Sequence, residues 1–227
     1  MTYNAAMAAY KAKNWDKAVK YFDKSIENRY NGAISVNYIF EAYEAKGDTL
    51  NAIISLRKGF EKYPKDETLI KQLIKFYLQT NNPSEAINYL NLAIDLDSTN
   101  ASYYILKGST LENSGNKEEA LDAYKLAIKM DNTRFNPYYN IGVIYFNKGV
   151  AGLNEATGLP SDATAQYDAK IEEGLSKLRE ALPYFEKAYA INPKQTAILG
   201  SLKLIYYRLQ MLDKYNEINE KIKNVSR

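Results

Sequence analysis

The sequence contains no cysteine and no histidine. The lack of cysteine excludes disulfide bonds and metal sites built on thiolates. The lack of histidine excludes Ser-His-Asp and Cys-His catalysis, and without either residue the common zinc sites are excluded as well. We therefore expect a protein that is not an enzyme and that holds no cofactor or metal.

Long hydrophobic runs and blocks of one charge are also missing. No apolar run approaches the ~18 residues that would cross a bilayer, so a membrane-spanning protein is not expected. The 30 basic and 27 acidic residues are mixed along the chain and leave a net charge of only +3. This charge is too small and too evenly spread to indicate nucleic-acid binding, which usually shows a clustered basic face.

The first residues, MTYNAAMAAYKAKNW, lack the charged segment and apolar segment that together are typical of a signal peptide. They also enter a repeated pattern at once, whereas helical repeat arrays normally begin with a polar cap. We therefore expect the chain to be part of a longer protein.

What the sequence does have is a pattern that recurs every 34 residues. A small residue stands at each step of 34, a bulky residue follows four positions later, and another small residue follows seven positions later. The steps are occupied by Ala18, Ala52, Ala86 and Ala120, the bulky positions by Phe22, Leu56, Leu90 and Tyr124, and the later small positions by Ser25, Gly59, Ala93 and Ala127. Such spacing predicts one helix per unit with a single buried stripe.

A second helix precedes each of these and ends at a turn. The residues expected to adopt the left-handed conformation at that turn are Gly47, Asn81, Gly115 and Gly149, with Lys13 in the first unit. Seven positions before the turn, three units carry Ala or Gly, which permits close helix packing. Phe40 and Ile74 replace the small residue in the second and third units, so a looser helix crossing is predicted there.

With these features the array resembles the tetratricopeptide repeat family. The resemblance implies an all-α fold, an α-solenoid of about six helix-turn-helix repeats in a right-handed superhelix, in one domain over residues 1–227. The expected repeats are 1–32, 33–66, 67–100, 101–134, 135–194 and 195–227.

The fifth repeat breaks the period. Its alanine is Ala181 where 120 + 34 = 154 is expected, so the repeat carries an insertion of 181 − 154 = 27 residues, placed at 150–176. Apolar residues at helical spacing on both sides of the turn GLPSD predict two lengthened antiparallel helices. Pro183 falls inside the second of these and is expected to kink it. The segment ALPYFEKAYAINP and the one after it resemble exported bacterial members of the family, which implies a periplasmic location, with a cytoplasmic one as the alternative.

The resemblance also implies that the first helices line a concave groove. Aromatic rings beside amide side chains suit an extended peptide, because amides can bond its backbone while rings cover its apolar side chains. The candidate groove residues are Asn37, Tyr38, Glu41, Lys71, Lys75, Glu112, Tyr139, Asn140, Phe146 and Tyr207.

The sequence thus favours a non-enzymatic scaffold that binds a protein or peptide, with the long hairpin as a second contact surface. The alternative is a structural module that forms homo-oligomers through its open N-terminal end or through the hairpin. An enzyme is the third possibility, since only carboxylates, lysines and tyrosines remain as reactive groups.

Overall fold

The computed structural model describes residues 2–225, which form twelve α-helices. Met1, the predicted start of the first repeat, and Ser226 and Arg227, the predicted end of the last, lie outside the described residues. The helices are α1 (Thr2–Lys11), α2 (Trp15–Glu27), α3 (Gly32–Ala45), α4 (Thr49–Lys62), α5 (Glu67–Gln79), α6 (Pro83–Leu96), α7 (Ala101–Asn113), α8 (Lys117–Met130), α9 (Phe135–Thr157), α10 (Thr164–Ile191), α11 (Ala197–Arg208) and α12 (Leu212–Val225).

The helices are arranged in two compact units. The first, Met1–Ser114, contains α1 to α7 and is called the N-unit; the second, Gly115–Arg227, contains α8 to α12 and is called the C-unit. Within each unit, helices that follow one another in the chain pack together, as in α1 with α2 and α9 with α10. The predicted all-α fold of helical repeats is confirmed, whereas the exact boundaries of six repeats stay a prediction.

The 34-residue pattern corresponds to the buried stripe of the second helices. Ala18, Ala52, Ala86 and Ala120 are fully buried, and so are the bulky residues four positions later. A small side chain at one position and a large one a turn later let neighbouring helices interdigitate at the density of a protein core.

The turns between paired helices use left-handed residues at four of the five predicted places. Gly47 has φ of 73°, Gly115 has φ of 87° and Asn81 has φ of 55°. Lys13 and Gln210 adopt the same conformation in the first and last helix pairs, with φ of 56° and 59°. These two carry a Cβ into a region that is favourable mainly for glycine.

Two long helices form the predicted hairpin of the fifth repeat. α9 has 23 residues and α10 has 28, whereas α2 has 13 and α4 has 14. The turn between them covers 158–163, and α10 continues across Pro183. The kink expected at Pro183 stays a prediction.

Gly149 is not a turn residue, and that prediction is wrong. It lies inside α9, where a Cβ would stand 2.9 Å from the carbonyl oxygen of Gly174 and 2.8 Å from Cδ2 of Leu178. At Gly174 a Cβ would stand 2.8 Å from Cγ of Leu153 and 2.9 Å from the carbonyl oxygen of Gly149. The glycines therefore permit close contact between the backbones of α9 and α10.

Candidate functional site

The first helices of the N-unit, α1, α3, α5 and α7, form a surface that we call the first-helix face. Hydrogen bonds connect three of these helices. The Tyr10 hydroxyl donates to Oε2 of Glu41 at 2.7 Å, Nδ2 of Asn37 donates to Oε1 of Glu41 at 2.9 Å, and Nε2 of Gln72 donates to Oδ1 of Asn37 at 2.9 Å. We call these four residues the polar ladder, because they link α1 to α3 and α3 to α5.

In the polar ladder the carboxylate of Glu41 accepts two hydrogen bonds, one from the hydroxyl of Tyr10 and one from the side-chain amide of Asn37. Burial raises the pKa of Tyr10 to about 12, and its hydrogen bond to Glu41 contributes to the same shift. At neutral pH Tyr10 therefore keeps its proton, and its hydroxyl donates a hydrogen bond to Glu41. The ladder fixes the spacing of the first helices.

Asn37 and Glu41 were expected to be open groove positions, but both are half-buried and bonded within the ladder. Tyr38 is also half-buried. Its ring stacks on Phe22 with centroids 5.1 Å apart and meets the ring of Tyr10 at 5.0 Å. The ring of Tyr38 thus covers the fully buried Phe22 of α2, and its role in a groove stays a prediction.

Lys71 and Lys75, in contrast, are exposed on α5, and they border an apolar cavity between α5 and α7. Its volume is about 450 Å³, within the range of roughly 300–1,000 Å³ typical of ligand pockets. The lining residues are Lys71, Ile74, Lys75, Leu78, Gln79, Tyr103 and Leu106.

A second cavity, of about 670 Å³, continues along the same two helices and shares Leu78 and Leu106 with the first. Amide and hydroxyl side chains dominate its walls. Its lining is Tyr77, Leu78, Asn81, Asn82, Pro83, Leu106, Ser109, Thr110, Asn113 and Ser114. We call the two cavities together the α5–α7 cleft: its apolar half lies toward the start of the helices and its polar half toward their ends.

Glu112, the remaining candidate of the N-unit, is half-buried on α7 and is not among the residues that line the cleft. The structure thus brings Lys71 and Lys75 into one cavity and places Asn37 and Glu41 in the ladder beside it.

In the C-unit, three of the four candidates are half-buried, namely Tyr139, Asn140 and Phe146. Tyr139 stacks on Phe135 with centroids 5.4 Å apart, and both Tyr139 and Phe146 contact the buried ring of Phe185 at 6.1 and 6.0 Å. The predicted free rings are therefore half-buried, because the bulky residue of α10 lies beneath them.

Asn140 and Tyr207 differ in exposure. Nδ2 of Asn140 donates to the hydroxyl oxygen of Tyr124 at 2.9 Å, so this amide is occupied within the C-unit. Tyr207 is 54% exposed, and its ring lies 5.8 Å from that of Tyr215. Of the four C-unit candidates, only Tyr207 presents most of its ring to solvent.

The candidate groove residues did not include the apolar wall of the cleft, which consists of Ile74, Leu78, Tyr103 and Leu106. One signal pointed to it. Ile74 occupies the repeat position that Gly108 occupies 34 residues later. A large residue at this position predicts a looser helix crossing in the third repeat, and the cavity lies beside Ile74.

Within residues 2–225, no group of three or more acidic side chains is placed to hold a metal ion. None of the helices in that range combines the length and apolar character that a bilayer crossing requires.

Consecutive helix pairs, with buried alanines at constant spacing and one long hairpin, define an α-helical repeat protein. Residues 108–149 match a family model described as TPR repeat, and residues 75–100 match one described as Tetratricopeptide repeat. The chain therefore contains tetratricopeptide repeats, and stacked helical repeats of this kind present extended surfaces that bind other proteins.

Known proteins with similar sequences or folds include other members of this class. The chain is 28% identical over 137 residues to BBSome complex member BBS4 of Bos taurus, covering 57% of this chain and 26% of that protein. The chain spans only about a quarter of that relative's length.

Solved structures that share the fold include those of MamA and YrrB. The crystal structure of MamA protein has a TM-score of 0.62 and 22% identity, covering 84% of this chain and 90% of that one. The structure of YrrB, described as a TPR protein with an unusual peptide-binding site, has a TM-score of 0.57 and 20% identity, with 88% and 89% covered.

Proposed function

We propose that the N-unit binds an extended segment of a partner protein on its first-helix face, with the α5–α7 cleft as the main contact. The observation that supports this most is the apolar cavity between α5 and α7, which is open to solvent and bordered by exposed polar side chains. The polar ladder supports it as well, because it holds α3 and α5 in a fixed arrangement before a partner arrives. A preformed site costs less conformational entropy on binding.

The two halves of the α5–α7 cleft suit different parts of a peptide. The apolar half, with Ile74, Leu78 and Leu106, can enclose one large apolar side chain as an anchor. The polar half offers amides and hydroxyls, such as Asn82 and Ser109, that can bond the backbone groups of an extended chain.

An amphipathic helix fits this surface less well than an extended segment does. A bound helix presents an apolar stripe at positions i, i+3, i+4 and i+7 and requires an apolar groove of that length. Here the wall turns polar after Leu78 and Leu106, within about two helical turns. The description of YrrB, which shares this fold, names a peptide-binding site, and this supports the binding of a peptide here by analogy.

A random peptide library displayed on phage tests the proposal directly. The purified chain is compared with Leu106→Glu, which places a charge in the apolar wall, and with Leu92→Glu, a matched change at an exposed leucine on α6 outside the cleft. We expect the original chain and Leu92→Glu to enrich the same peptides and Leu106→Glu to lose them by at least tenfold.

Two results contradict the proposal. One is the absence of any enriched peptide from libraries that yield binders to a control domain. The other is a set of peptides retained equally by Leu106→Glu while this variant keeps the helical circular dichroism and thermal midpoint of the original chain.

A further inference from the structure

The apolar half of the α5–α7 cleft has a positive rim. Lys71 and Lys75 lie one helical turn apart on α5, and both are exposed at the cavity edge. None of the residues that line either cavity of the cleft is acidic. The lining itself therefore presents only cations and neutral groups to a bound carboxylate, and the nearby carboxylate of Glu67 lies outside it and pairs with Lys71.

The two lysines are not equally available. Nζ of Lys71 forms an ion pair with Oε2 of Glu67 at 2.9 Å, and this hydrogen bond raises the pKa of Lys71. Lys75 has no ion-pair partner among the described residues. Its neighbours along α5 are Ile74 and Leu78, which form the apolar wall. Lys75 is thus an unneutralised charge directly beside an apolar cavity.

We infer that the α5–α7 cleft selects partner segments in which an acidic residue lies within two positions of a bulky apolar residue. This inference rests on the proposed function and names the chemistry of the partner. The apolar side chain enters the cavity between Ile74 and Leu106, and the carboxylate pairs with Lys75 at the rim.

The geometry of an extended chain sets this spacing. Successive side chains of a strand point in opposite directions and are about 3.3 Å apart along its axis. When one side chain points into the cavity, its neighbours point along the rim or outward. An acidic residue one or two positions away is therefore in reach of a flexible lysine side chain at the edge.

The expected contribution of Lys75 is modest, because the pair is exposed to solvent. Exposed ion pairs are typically worth a factor of about two to five in an equilibrium constant, and salt weakens them further. Specificity should therefore appear as a preference between peptides rather than as an absolute requirement.

The experiment uses peptides selected on the full chain, each synthesised with Asp at the acidic position and again with Lys there. Fluorescence polarisation gives both dissociation constants at 50 and 300 mM NaCl. We expect the Asp peptide to bind about five- to tenfold more tightly than the Lys peptide at low salt, because the exchange removes an attraction to Lys75 and adds a repulsion, with a smaller ratio at high salt.

Charge reversal at the rim provides the decisive comparison. Lys75→Glu should reverse the order, so that the Lys peptide binds more tightly than the Asp peptide. Lys20→Glu, an equal change of charge at an exposed lysine of α2 away from the cleft, should leave the order unchanged.

The outcomes separate this inference from the proposed function. If peptides bind and Leu106→Glu abolishes binding, but Lys75→Glu leaves the Asp preference intact, the inference is wrong and the proposed function survives. The inference is also wrong if the selected peptides show no enrichment of Asp or Glu near the apolar residue. If Leu106→Glu weakens the binding of none of the peptides, the proposed function itself is wrong.

Discussion

The aromatic side chains of the first-helix face have a structural role at the scale of single residues. Tyr38 covers Phe22 from above and meets Tyr10 edge-on, so removal of its ring exposes a buried aromatic residue. Aromatic pairs of this kind contribute about 0.5–1.5 kcal/mol beyond the area that they bury. These rings therefore stabilise the surface on which a partner would lie.

Replacing Tyr38 tests this role. We expect Tyr38→Ala to lower the free energy of unfolding by about 2 kcal/mol, less than for a fully buried aromatic residue because the ring is only half-buried. Urea denaturation followed by circular dichroism measures the change. Leu50→Ala, at a leucine that is 68% exposed on α4, is the control and should change stability by less than about 0.5 kcal/mol. Equal effects of the two substitutions would contradict the packing role of Tyr38.

The polar ladder makes a prediction about pH. Burial and the bond to Glu41 raise the pKa of Tyr10 from its ordinary value of 10.0 to about 12. Because the folded state holds this proton more tightly than the unfolded state, the ladder's contribution is complete below pH 10 and is lost as the pH rises toward 12.

Unfolding free energies at pH 9 and pH 11 reveal this loss. We expect Tyr10→Phe to be less stable than the original chain at pH 9, by about 1 kcal/mol for the lost hydrogen bond, and to show a smaller decrease between the two pH values. Tyr30→Phe, at a tyrosine that is 56% exposed, should follow the original chain at both. A parallel decrease in Tyr10→Phe and the original chain would exclude Tyr10 as the source.

At the scale of secondary-structure elements, the close packing of α9 on α10 depends on glycines that lie inside the two helices rather than in a turn. Gly149, Gly152 and Gly174 occur where the two helices are closest, and a Cβ at Gly152 would stand 3.2 Å from Cα of Gly174. Glycine inside a helix is intrinsically unfavourable by about 1 kcal/mol, so its presence here is offset by the close packing that it permits.

A pair of glycine-to-alanine substitutions separates these effects. Gly174→Ala should destabilise the C-unit by about 1–3 kcal/mol, because the new methyl group collides with Leu153 and with the backbone of α9. Gly200→Ala in α11 meets no atom within 4 Å and should stabilise by up to about 1 kcal/mol. Thermal unfolding of both variants measures the difference. A stabilising Gly174→Ala would disprove the close contact.

Sequence periodicity predicted the elements better than it predicted the environment of their side chains. The 34-residue spacing of Ala18 and Ala52 predicted the buried stripe, and the displacement of the corresponding alanine to Ala181 predicted the long hairpin, because both depend on local helical spacing. Gly149 was misplaced, since a glycine that ends a helix and one that permits close packing look alike in a sequence. The burial of Tyr38 depends on Phe22 in the adjacent helix, which spacing within α3 does not reveal.

For the whole molecule, binding of a partner and self-association remain the two competing proposals. If the first-helix face serves a partner, the chain by itself should stay monomeric as its concentration rises. Gel filtration with light scattering from 5 to about 500 µM measures the mass. We expect a constant mass near 25.9 kDa. A mass that rises with concentration, and that falls back in Tyr167→Glu on the exposed side of α10, would favour association through the hairpin.

The most direct test of the central claim is to locate a bound peptide on the molecule. Methyl NMR spectra of the full chain, labelled at Ile and Leu, are recorded with and without a selected peptide. We predict that the signals of Ile74, Leu78 and Leu106 shift, while those of Leu92 on α6 and Leu50 on α4 stay in place. Shifts confined to the second helices or to the α9–α10 hairpin, with the cleft signals unmoved, would contradict the account.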